Sequence, residues 1–122
     1  MRAVALVLAL LAPACSPPPP LSLDVRVSCV PDTRALRQRC TVTLTDRRTG
    51  RPVEGATVRL HADMPSMPLV HSVPPAPAVA AAAPGTYHGT LELEMTGRWV
   101  IAVRIAGPAH DQVTHTIDVE PR

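Results

Sequence analysis

The sequence predicts an all-β chain, folded as an immunoglobulin-like antiparallel β-sandwich of about seven strands. Three observations lead there. Apolar and polar residues alternate with a period of two through most of the chain beyond residue 21, the signature of half-buried strands. Turn-forming clusters recur at short intervals, as a sandwich requires. No stretch past the leader repeats its apolar residues at the spacing of an amphipathic helix.

The leader comes first. Met1-Arg2 is a short basic head, Ala3 to Ala12 is an unbroken apolar run, and Pro13-Ala14-Cys15 follows. That order is a secretory signal peptide over residues 1–15. Its apolar run is too short for a membrane-spanning helix, which needs roughly 20 residues. Ending at Cys15, it predicts lipoprotein processing with Cys15 as the lipidated first residue, and simple cleavage near Ala14 as the other outcome. The lipoprotein pattern is imperfect, because Ala12 stands where Leu is usual. The expected location is the periplasmic face of a bacterial membrane. Residues 16–21 carry Pro17–Pro20 and read as a stiff polyproline II stalk. Residues 22–120 then form one small domain.

Each strand follows from its parity. Leu21, Leu23, Val25, Val27 and Cys29 face inward on the first, with Asp24, Arg26 and Ser28 opposite. Cys40, Val42 and Leu44 face inward on the second. Both cysteines share the inward parity and flank one loop, Val30–Arg39. They are the only two cysteines beyond position 15, and export places them where thiols oxidise, so a Cys29–Cys40 disulfide is expected. Residues 46–55 are a turn-rich connector. Ala56–Ala62 alternates again. Pro74–Pro84 reads as a loose Pro/Ala loop. A strand from Gly85-Thr86-Tyr87 runs to Met95, Thr96-Gly97 signals a tight hairpin, and Trp99, Ile101, Val103 and Ile105 line the next strand, with Trp99 as the core anchor. Val113, His115, Ile117 and Val119 make the last.

Charge and motif exclude several functions. Without Arg2, eleven basic residues, all Arg, stand against ten acidic ones. Nucleic acid needs a clustered basic face, so it is not an expected partner. The chain has no Gly-x-Ser-x-Gly elbow, phosphate loop or His-Glu-x-x-His motif, and all three cysteines have structural uses. The expectation is a protein that is not an enzyme.

One stretch carries possible chemistry, HADMPSMPLVH at residues 61–71. Met64 and Met67 each precede a proline, which disfavours helix and predicts extended or polyproline II backbone. In polyproline II three residues make one turn, so both thioethers project from one edge. His61 and His71 flank them, and Met95 ends a neighbouring strand. Thioether sulfur selects Cu(I), and imidazole suits copper. The plainer reading stands beside this one. Met fills irregular gaps, and this chain has no Phe. His88 and His110 read as surface residues, and His115 as a hydrogen-bonded buried imidazole.

MPSMP, followed after the Pro/Ala stretch by GTYHGTLELEMTGRWVIAVRI, resembles the YtkA-like/FixH-like family of exported β-sandwich domains. The likeness rests on the Met-Pro-x-Met element, the Gly-x-Tyr strand opening and the Met-x-Gly-x-Trp hairpin, over roughly Val53–Val119. It implies copper binding or delivery through Met64 and Met67, with His61, His71 or Met95 as further ligands. It also implies a partner among envelope copper-handling or oxidase-assembly proteins. The alternative function is a metal-free structural or interaction module of an envelope complex. The chain departs from FixH in having a cleaved-type signal in place of a retained transmembrane helix, and in its Cys29/Cys40 pair.

Overall fold

Alternating β-branched and aliphatic residues settle into pleated strands because one face of each can be buried. The computed structural model describes residues 21–34, 36–68 and 72–121, and Pro13 besides. It holds seven strands: β1 (Leu23–Pro31), β2 (Arg37–Asp46), β3 (Thr57–Asp63), β4 (Ser72–Ala80), β5 (Thr86–Glu92), β6 (Gly97–Ala106) and β7 (Asp111–Val119). They pair antiparallel in the order β1-β2-β5-β4-β3-β6-β7. They form one continuous sheet that folds over at β4, with β1, β2 and β5 on one side and β3, β6 and β7 on the other, a β-sandwich-like all-β arrangement. Among the described residues no helix is long and apolar enough to cross a membrane.

The Pro/Ala segment is the main correction. Residues 72–80 are not a loop but strand β4, which joins the two layers. Its first part pairs with β3, and Val79 and Ala80 pair with His88 and Tyr87 of β5. Proline, lacking an N–H, is tolerated in sheets at bulges and edges. Here the register jumps from Leu60↔Ala76 to Ala62↔Val73. The extra residue of this bulge falls at Pro74-Pro75, where ladder hydrogen bonds are already interrupted. In sequence alone Pro is a strand breaker, and the bulge that admits it is set by the β3 strand opposite.

Two boundaries also move. The Cys-flanked loop is shorter than expected, since β1 runs on to Pro31 and β2 starts at Arg37. Strand β5 stops at Glu92, and the Leu93 N–H leaves the ladder to donate to the Leu36 carbonyl at 3.1 Å. The β5–β6 hairpin therefore has a four-residue turn, 93–96, in place of a two-residue one.

Trp99, Leu44, Leu60, Leu91, Ile101 and Val103 are fully buried between the layers. The Tyr87 hydroxyl donates to the Val53 carbonyl at 3.0 Å and accepts the Ala56 N–H at 3.2 Å, which pins the β2–β3 connector onto the core. Buried Asp46 caps the same connector, its carboxylate accepting from the Arg48 N–H and the Thr49 hydroxyl. On the opposite end Arg37 bridges β2 to Glu92 of β5, and this hydrogen bond raises the arginine above its ordinary pKa.

The registers sort the turns into two ends. The chain enters at Leu21–Leu23 beside the β2–β3, β4–β5 and β6–β7 connections. The β1–β2 turn, the β3–β4 loop, the β5–β6 hairpin and the end of β7 lie at the other.

Cys29 and Cys40 are directly opposed in the β1–β2 ladder and joined by a disulfide, with 11 residues of sequence separation. Closing a loop of this length contributes about 2–3 kcal/mol in the chain-entropy model. Reduction should lower the urea stability by about that amount, and unfolded, unreduced protein should show no reactive thiol at either position.

Candidate metal centre

Met64 is the first residue past β3 and continues that strand's inward set of Val58, Leu60 and Ala62. It is only 4% exposed. The proline after it keeps it extended. Beyond that point the backbone does not follow the expected polyproline II path. The Met67 N–H donates to the Met64 carbonyl at 3.1 Å, closing a β-turn with Pro65 second. The fixed φ of proline suits that position. A turn still draws its first and fourth residues within about 7 Å at Cα, so the two methionines share one rim by a different route.

The Met64 side chain reaches across to the β5–β6 hairpin. A Cβ built on Gly97 would lie 2.9 Å from Met64 Cε, and Gly97 sits at φ +125°. Met95, two residues earlier, is half-buried, and its carbonyl accepts the Trp99 Nε1–H at 3.0 Å. Met67 is half-buried too, and both pack against the core. Met64, Met67 and Met95 therefore gather at the end opposite the chain entry.

The described histidines do not join them. The pleat that turns Ala62 and Met64 inward turns His61 outward, where its Nε2 lies 3.0 Å from Asp63 Oδ2. His71 lies outside the described residues, as does Cys15. His88 is exposed on the outer face of the β1–β2–β5 layer, with Nδ1 3.2 Å from the Thr41 hydroxyl. His110 is exposed as well. His115 has the expected inward parity but is half-buried, without a side-chain hydrogen bond among the described residues. Its strand ends the sheet order, so its outer edge has no ladder partner among the described residues. Among the described residues no group of three or more His, Cys, Asp or Glu is placed to hold a metal ion. The soft-ligand side chains at the rim are the three methionines.

Two supports of the rim had no readable signal in the sequence. The Met64–Gly97 contact joins segments whose approach depends on the β3–β6 register, and the Trp99–Met95 bond depends on the turn the β5–β6 hairpin adopts. In comparison with known proteins, the YtkA-like family model matches residues 22–104. No curated protein and no solved structure matches the chain.

Gly97→Ala should test the rim's packing. The flexible Met64 methyl can give way, but the positive φ cannot suit an L side chain. A loss of about 1–2 kcal/mol in chemical denaturation is expected, with a change in Trp99 emission as the hairpin shifts.

Proposed function

The chain belongs to the YtkA-like family, and on that premise we propose that it is an envelope-anchored, non-enzymatic Cu(I)-binding accessory domain whose ligands are the thioethers of Met64, Met67 and Met95. The observation that carries this reading is the gathering of these three methionines at one end of the sandwich. Neutral, polarizable sulfur prefers Cu(I) to harder ions. Met67 and Met95 are half-buried residues, and Met64 joins them by swinging its methyl off Gly97. Bound copper would be held in its reduced state and passed to a partner by exchange of soft ligands. His61 lies on the other face of β3 and is not counted in the ligand set.

The topology suits a tethered carrier. Strand β1 has nine residues, about 30 Å at 3.3 Å per residue, and separates chain entry from the rim. A lipid on Cys15 at the periplasmic face of a bacterial membrane would leave the methionines pointing away from the bilayer. A metal-free interaction module is the second reading. What favours it is Met64 itself, which at 4% exposure fills core space as any aliphatic residue would.

Replacing Met64, Met67 and Met95 together with Leu keeps bulk and apolarity at less than about 1.5 kcal/mol per site. The folded variant should lose Cu(I) binding in a competition assay with a chromogenic Cu(I) chelator. Parental affinity in that variant would overturn the thioether site. Thioethers carry no competing proton, so parental binding should stay flat between pH 7 and about 5, whereas imidazole ligands would weaken it.

Cys15→Ala should move the protein from the membrane to the soluble envelope fraction. Retention in the membrane fraction would remove the lipid anchor from the proposal.

A further inference from the structure

At the methionine end the two layers do not close. A groove of about 420 Å³ lies between the β1–β2 turn and the last residues of β7, lined by Cys29, Leu36, Gln38, Thr96, Ile117 and Val119 among others. That volume lies within the roughly 300–1,000 Å³ typical of ligand sites.

Gln38 marks it as more than a surface dent. It continues the inward set of Cys40, Val42 and Leu44, is 5% exposed, and lines the groove. Its side-chain amide makes no hydrogen bond among the described residues. Its amide atoms are not sealed from solvent, so the one polar side chain of that inward row is open to a ligand in the groove. The walls are also held in place. Cys29 is tied to Cys40 next to Gln38, and Leu36 sits at φ +67°, a region that few residues other than glycine occupy. Its carbonyl accepts the Leu93 N–H, which ties that wall to the β5–β6 hairpin.

We propose that this groove binds an extended, apolar peptide segment of a partner protein, one backbone amide of which pairs with Gln38. A primary carboxamide presents donor and acceptor side by side, the complement of a peptide group. The aliphatic and disulfide walls suit apolar side chains. Charge sets the polarity of the segment. The ionisable lining residues are Asp118 and Glu120. Asp118 is bound to Arg98 at 3.0 Å, while Glu120 makes no ion pair among the described residues. A basic residue at the exposed end of the segment is therefore favoured and an acidic one disfavoured. Copper plays no part in this contact.

The probe is a pool of capped pentapeptides with Arg first and Val, Ile, Leu or Thr at the other four positions, titrated into ¹⁵N-labelled full-length protein in detergent micelles. Saturable shifts of the Gln38 side-chain NH₂ resonances are expected, with weaker binding by a matched pool that begins with Glu. Gln38→Leu should bind at least about tenfold more weakly and keep the thermal midpoint, because the amide it removes has no partner within the fold among the described residues. Ile117→Arg should fill the groove and abolish binding. The proposal is overturned if the Arg pool moves no groove resonance, leaving Gln38 a solvated amide only. It also fails if Gln38→Leu binds equally well, or if that substitution lowers the midpoint, which would reveal a partner within the fold.

Discussion

The methionine end of this molecule depends on one residue, Trp99. It is the single tryptophan of a chain with no phenylalanine, and it is fully buried between the layers. Burying an indole of this size contributes about 3–5 kcal/mol judged by truncation. Its N–H needs a partner in that setting and finds the Met95 carbonyl. The hydrogen bond therefore does two things. It allows the large ring to be buried, and it holds the hairpin that carries Met95 and Gly97 against the β3 exit.

Strand β4 sets the second constraint. A small sandwich must pass from one layer to the other, and it does so here through a strand rich in Pro and Ala, with a bulge against Leu60 and Ala62. Small side chains keep the crossing thin. Gly89 on β5 has the same role, since a Cβ there would lie 2.6 Å from Leu60 Cδ1 and 3.2 Å from Ala78 Cβ. The crossing region is packed by the large residue of β3 and the absence of side chain on β5, so a strand that looks structureless by composition becomes the hinge of the sandwich. It also fixes where the β3–β4 loop leaves the sheet, and so where Met67 can sit.

Met64 shows how packing and candidate chemistry compete for one side chain. In a chain with no Phe, methionine is a natural filler for the irregular space where β3 leaves the sheet. The same contact places its sulfur near the rim. A ligand role requires the methyl to leave Gly97, and the flexible thioether gives that motion a low barrier compared with a branched residue. The Gln38 groove lies at the same end, between Thr96 of the hairpin and the end of β7, so a partner seated there would stand beside the methionines.

Parity carried most of the architecture. The inward sets of β1, β2, β3, β6 and β7, the buried Trp99 and the opposed Cys29 and Cys40 were legible because each strand has one face in water and one in the core. Parity also implied that Gln38 faces inward, had β2 been extended back from Cys40. Local pattern reached its limit where the backbone partner decides the outcome. Whether Pro74-Pro75 breaks a strand or occupies a bulge depends on the β3 ladder opposite. Whether Met64-Pro65-Ser66-Met67 is polyproline II or a turn depends on where β3 and β4 must join. Residue spacing alone set His61 beside Met64, and the pleat separated them onto opposite faces. The sequence by itself thus determined which residues are inside and which two cysteines can meet, since both follow from a two-residue period. Only the tertiary structure decided which side chains share an end of the sandwich, because strand order and register are set by contacts between segments far apart in the chain.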